Sequence, residues 1–147
     1  MPLIQIPVLT ADQYPTAALN PAQVVTISRS TTAPGGTTIG LNARDPQAVT
    51  HTPPVRARTL TSPTPLVDVL AALTAAGVPL VPVELKSATP LDYHVNPNAI
   101  VAVQPMKTGN GHVWLSNGEI LFVTPDALQA LSALLVAPPA AVAAGRI

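Results

Sequence analysis

Chemistry in this chain would have to come from seven carboxylates, three histidines and seven cations, with no cysteine, in 147 residues. General acid–base catalysis needs titratable groups gathered within hydrogen-bond reach of one substrate, yet Asp12, Asp45, Asp68, Glu84, Asp92, Glu119 and Asp126 stand singly along the sequence. Each has a structural reading where the pattern supplies one: Asp126 opens a helix, Glu119 flanks a hairpin turn, and Asp68 sits on the solvent side of a helical pattern. His51, His94 and His112 lack the i, i+2 or i, i+4 spacing of a ready-made metal site. None of Ser28, Ser30, Ser62, Ser87, Ser116 and Ser132 lies in the glycine-flanked elbow of a nucleophile. Gly35-Gly36 and Gly109-Asn110-Gly111 do not lead into helices, so neither builds a phosphate cradle. The expectation is a chain with no catalytic residue, no metal site, no cofactor and no enzymatic activity.

What remains is recognition. Three of the seven basic residues, Arg44, Arg56 and Arg58, lie on or beside one stretch that also contains His51 and a local counter-ion, Asp45. Such a cluster could hold an acidic patch of a protein partner or phosphates, for about 1 kcal/mol per charge when partly buried. Acids and bases cancel overall, so no long-range field steers the molecule to nucleic acid or anionic lipid. The rings are Tyr14, Tyr93, Trp114 and Phe122. The last two alternate into hairpin strands and are expected in the core, which leaves base stacking little to work with. Nucleic acid is therefore not an expected partner. No apolar run approaches a membrane span of about 18 residues, and the start from Met1 to Ile6 lacks the basic and apolar regions of a signal peptide. A soluble protein without a membrane partner is expected.

The elements that carry these residues are written twice. Leu19-Asn20-Pro21-Ala22-Gln23-Val24-Val25-Thr26-Ile27 matches Val95-Asn96-Pro97-Asn98-Ala99-Ile100-Val101-Ala102-Val103, and upstream Pro2 to Val8 mirrors Pro79 to Leu85. In the second copy, Leu80 to Leu85 reads as a strand, Asn96-Pro97-Asn98 as a turn, and Ile100 to Val103 as the next strand. His112 to Leu115 and Glu119 to Val123 flank Ser116-Asn117-Gly118, a hairpin signal of the type I′ kind. Thr124-Pro125-Asp126 predicts a helix start with a hydroxyl cap, proline in the first turn and a carboxylate facing the dipole. That helix should run to Pro138, with Leu128, Leu131, Leu134 and Leu135 as its buried stripe. Leu66, Val69, Ala72 and Leu73 are the equivalent stripe in the first copy, with Ser62 as N-cap and Gly77 as C-cap. The prediction is a β-rich α+β fold of two tandem β-β-β-β-α units, each closed by a short helix: residues 1–77, with an excursion at 43–57, and 78–136. An extended arm, 137–147, follows.

The stretch from Val95 to Leu135 resembles two families through its turn chemistry. Asn96-Pro97, Ile100 to Val103, Asn117-Gly118 and Leu128 to Leu135 resemble the small flagellar FlbD-type module. Val95-Asn96, Val113 to Leu115, Asn117-Gly118, Leu121 to Val123 and the helix resemble the LytTR-type DNA-binding domain. The latter resemblance implies a regulatory DNA-binding role with basic side chains at the last strand and helix start, where this sequence has Thr124-Pro125-Asp126.

Only 10% of residues are charged and 48% are hydrophobic, against about 25% charged in ordinary domains. A surface so poor in charge, with 18 prolines and an apolar arm, is expected to be covered by neighbouring subunits. In overall character the chain is similar to phage virion accessory proteins. The leading expectation is a structural, capsid-decoration (cement) protein of the virion, cytoplasmic during assembly, whose partners are capsid or other virion subunits or further copies of itself. The contact residues would be Arg44, His51, Arg56 and Arg58 on the excursion and Pro138, Pro139, Val142, Arg146 and Ile147 on the arm. The alternative expectation is a small LytTR-like or FlbD-like regulatory module that binds nucleic acid or a protein.

Overall fold

The computed structural model describes residues 3–8, 16–44, 57–86 and 92–135. The first repeat supplies β1 (Ile4–Pro7), β2 (Thr16–Leu19), a 3-10 turn (Pro21–Gln23), β3 (Val24–Arg29), β4 (Thr37–Arg44), β5 (Ala57–Ser62) and α1 (Leu66–Ala75). The second supplies the same series: β6 (Val81–Pro82), β7 (His94–Val95), a 3-10 turn (Pro97–Ala99), β8 (Ile100–Pro105), β9 (Gly111–Leu115), β10 (Ile120–Val123) and α2 (Pro125–Leu135). Each unit thus has five strands rather than the predicted four. The pairs β1–β2 and β6–β7 are too short, or too interrupted by proline, to show as two strands in the sequence. The fold class stands as β-rich α+β, with three sheets and two α-helices among the described residues.

The duplication extends to register. β3 meets β4 with Val24 opposite Leu41, Thr26 opposite Gly40 and Ile27 opposite Ile39. β8 meets β9 with Ile100 opposite Leu115, Ala102 opposite Trp114 and Val103 opposite Val113. Both ladders slip at the same place, between Val24 and Thr26 and between Ile100 and Ala102. The turns before them are also copies. Asn20 has φ −83° and ψ 109°, and its side chain accepts from the Ala22 amide; Asn96 has φ −81° and ψ 112°, and its side chain accepts from the Asn98 amide. A short side-chain acceptor at this position does what a helix N-cap does, and the following proline presets the first turn.

The two units are joined through strand exchange into a common sheet. Its order is β5-β4-β3-β7-β6, flanked by a two-stranded sheet, β1-β2, and a three-stranded sheet, β10-β9-β8. One core gathers Ile6, Leu19, Val24, Ile27, Ile39 and Val78 around Val69 and Leu73 of α1. The other gathers Val83, Val95, Val113, Leu115, Leu121 and Val123 around Ala127 and Leu131 of α2, and Val25 of β3 completes it. Consequently β3 is buried on both sides over five of its six residues.

Several local expectations change. In α2 the buried residues are Ala127 and Leu131, with Leu134 and Leu135 exposed, because the helix docks by its first two turns only. Thr124 caps it as predicted, its hydroxyl accepting from the Ala127 amide at 3.3 Å. Ser62 does not cap α1. It ends β5, and its hydroxyl accepts from the Thr64 amide in the turn that leads to Pro65. Gly77, at φ +91°, closes α1 as predicted, with the Val78 amide donating to the Leu73 carbonyl. The β9–β10 turn is not type I′, since only Gly118 has positive φ. Asn117 is instead 2% exposed; its Oδ1 accepts from the Glu119 amide, and its Nδ2 donates to Glu119 Oε1 and to the Leu41 carbonyl. It pins the second repeat's hairpin to the first repeat.

Gly36 is a point of close approach. A Cβ there would fall on the backbone carbonyl of Ser62, which cannot swing aside as a flexible side chain would. Gly36→Ala is expected to lower stability by about 1–3 kcal/mol, read as a lower urea midpoint with unchanged m-value.

Candidate functional site

The three-stranded sheet offers two faces of different character. Its inner residues, Val113 and Leu115 of β9 and Leu121 and Val123 of β10, are buried against α2 and β3. Alternation then sends His112, Trp114, Ile120 and Phe122 to the outer face. Trp114 is 41% exposed and Phe122 55%, so the expectation that both rings belong to the core is wrong. Both faces of this hairpin are apolar in sequence, and only one helix is available to cover them.

Register arranges the outer face in two rows. One runs Ala102, Trp114, Ile120 and the other Gln104, His112, Phe122. Phe122 meets His112 edge to face, with ring centroids 4.6 Å apart and planes at 89°, the geometry favoured by the ring quadrupole. The second row is continued by Lys86. Leu85 bridges to Val123, and the Lys86 amide donates to the Phe122 carbonyl at 2.8 Å. Leu85 packs inward, and the exposed Lys86, opposite Phe122 in this register, stands at the edge between the aromatic side and a large cleft whose lining it also joins. At the end of β8, Lys107 is exposed in the turn that leads into His112. The result is two exposed rings, an imidazole edge and an amide on one sheet face, with Lys86 at one edge and Lys107 in the β8–β9 turn. Such a surface can stack planar groups and pair with phosphate.

A larger cleft lies elsewhere, between the common sheet and the two helices. Its lining includes Arg29, Glu84, Lys86, Asp92, Tyr93, His94 and Asp126. Arg29 is already paired with Asp92, and Glu84 and Asp126 outnumber Lys86, so the cleft as a whole does not favour a phosphate. Among the described residues no cluster of histidines and carboxylates could hold a metal ion. Tyr93 is half-buried at this cleft. Burial, with Glu119 nearby, raises its pKa above the usual tyrosine value, while a hydrogen bond with Ser28 opposes the shift. The unfolded chain, with its phenol near 10, therefore ionises first as pH rises. The Tyr93 contribution to stability is whole below that value and is lost as pH climbs toward the folded pKa. Tyr93→Phe is expected to flatten the alkaline limb of a stability–pH curve, checked by urea melts above and below pH 10.

Of the predicted contact residues, Arg58 is exposed on β5, an edge of the common sheet, and Arg44 ends β4. Neither belongs to the aromatic face. His51, Arg56, Pro138, Pro139, Val142, Arg146 and Ile147 lie outside the described residues, as do most of the excursion and the arm. Sequence reasoning missed Trp114, Phe122 and Lys86 as a group; the signal was available in the pairing of Leu85 with Val123, which sequence periodicity does not reveal.

No protein-family model matches the chain, and no curated protein matches it by sequence. A search of solved structures finds the LytTr DNA-binding domain of a putative methyl-accepting/DNA response regulator from Bacillus cereus. The two superpose with a TM-score of 0.55 over 92% of this chain and 97% of that one, at 14% identity. The two chains share a fold. This supports the LytTR-type resemblance, which had been drawn on Val95 to Leu135 alone, and extends it to nearly the whole chain. It overturns the leading expectation: a capsid-decoration protein with virion subunits as partners has no support in the comparison, and neither does the exclusion of nucleic acid. The composition had suggested a covered surface, but low charge is equally compatible with a β-rich body that leaves rings exposed on one sheet face.

Proposed function

We propose that this chain is a non-enzymatic nucleic-acid-binding module that uses the outer face of the β8–β9–β10 sheet. The observation that carries the reading is the exposed Trp114 and Phe122 pair, with Lys86 and Lys107 exposed at the margins of that sheet, on a chain that shares its fold with a DNA-binding domain. A platform rich in rings and poor in charge suits unpaired bases, whose faces stack on aromatic side chains whatever the sequence. A duplex with its bases enclosed would leave the rings without partners. The fold-level likeness supports DNA over RNA.

The charge count fixes the salt dependence. Single-stranded binding loses affinity with a slope of about −0.7 in log K against log salt per phosphate neutralised, so two lysines give about −1.4. Fluorescence anisotropy with a labelled single-stranded oligonucleotide across a salt series reads this slope. A slope near zero, or no binding at low salt, contradicts the reading.

A further inference from the structure

We infer that this protein associates head to tail with further copies of itself, repeating between chains the strand pairing that joins its own two repeats. Within the chain, β3 of the first unit pairs antiparallel with β7 of the second, Thr26 opposite Val95 and Ile27 opposite His94. The junction is secured by Asn96, which is 5% exposed. Its amide donates to the Val25 carbonyl at 2.8 Å, and its Nδ2 donates to the Val24 carbonyl at 3.0 Å. Val25, only 1% exposed, crosses into the second unit's core.

Among the described residues, every part of this junction exists a second time without its mate. By the repeat, β8 corresponds to β3 and β2 corresponds to β7. β8 is the outer strand of its sheet, and β2 pairs on one side only, with β1, among the described residues. Val101, the counterpart of Val25, is 68% exposed. Asn20, the counterpart of Asn96, is exposed and spends its Oδ1 on the Ala22 amide, as Asn96 does on Asn98, but among the described residues its Nδ2 has no acceptor. An apolar cavity of about 110 Å³ beside Ile6, Leu19 and Val69 opens into the first unit's core, where the second unit's equivalents Val83, Val95 and Leu131 share a core with Val25. Two unpaired edges of complementary type on one molecule make a heterologous interface, which grows by addition of copies rather than closing in a symmetric pair.

The pairing follows from the internal register. Ala102 of one copy lies opposite Leu19 of the next, and Val103 opposite Ala18. The Asn20 amide and Nδ2 then meet the Val101 and Ile100 carbonyls, while Val101 enters the first unit's core. The copied contact stops at the strand edge. Where the second unit's hairpin presses on the first, the residue beneath is Gly40, close to Glu119; its counterpart in register is Trp114, so that close approach to a glycine is not repeated between copies. The inference does not rest on nucleic-acid binding and is tested without it.

Sedimentation velocity on the whole chain over a wide concentration range provides the test. The wild type is expected to rise from the 15.1 kDa monomer through dimers to larger species. Val101→Asp puts a charge where the next core begins, and Asn20→Asp keeps the turn cap but replaces the Nδ2 donor by an acceptor facing a carbonyl. Each variant alone is expected to remain monomeric with a native circular dichroism spectrum. Mixed in equal amounts they retain one good edge each, so the mixture should form dimers and nothing larger. A wild type monomeric at every concentration overturns the inference. So does association that survives Asn20→Asp, which would point to β8 pairing with itself, or a mixture that stays monomeric.

Discussion

Trp114→Ala is expected to weaken single-stranded DNA binding about 5- to 150-fold, the loss of about 1–3 kcal/mol that one base–aromatic stack contributes. Phe122→Ala should fall in the same range, since that ring is the more exposed of the two. Both side chains stand outside the cores, so their removal should leave the urea midpoint within about 1 kcal/mol of wild type. That separation of binding from stability is the useful property of the pair. A core ring, as the sequence suggested, would have cost about 3–5 kcal/mol on truncation. Equal affinity of variant and wild type in a fluorescence anisotropy titration would remove this face from the account.

The largest effect on stability is expected at Asn96. Asn96→Ala removes a turn cap and also leaves the Val24 carbonyl without its partner in the middle of the molecule. Together these should cost roughly 2–4 kcal/mol. The same substitution at Asn20 removes only the cap, from an exposed turn, for about 1 kcal/mol. Urea denaturation of the two variants side by side reads the difference. Equal losses would mean that the junction between the repeats does not depend on the buried amide.

That contrast also shows what the sequence discloses. The alignment of Leu19 to Ile27 with Val95 to Val103 is correct residue for residue, because the Asn-Pro cap and the strand after it are local features with local causes. The start of α2 at Thr124 and the end of α1 at Gly77 were legible for the same reason; the start of α1, assigned to Ser62, was not. The number of strands was not. β6 and β7 have two residues each and exist because β7 inserts beside β3, a pairing across 68 residues of chain for Thr26 and Val95 that no short-range pattern encodes.

The site was hidden by a different ambiguity. In Gly111 to Leu115 and Ile120 to Val123 both alternating sets are apolar, so period-two reasoning gives the strands without saying which face α2 will cover. The helix decides, through Leu128 seated over Gly111 and Ala127 and Leu131 in the core. Trp114 and Phe122 are then left outside. The inference from composition to a virion subunit failed because it used a whole-chain average. The average cannot distinguish a surface hidden by neighbours from one that presents rings on a single sheet.

Trp114 is the chain's single tryptophan, so its fluorescence reports on the proposed face without any label. Titration of the protein with a short single-stranded DNA at low salt should quench and shift that emission in a saturable way, and added salt should reverse the change. Emission that stays unaltered while an independent probe, such as sedimentation, shows the DNA bound would place the contact elsewhere; emission unaltered with no DNA bound would contradict nucleic-acid binding itself.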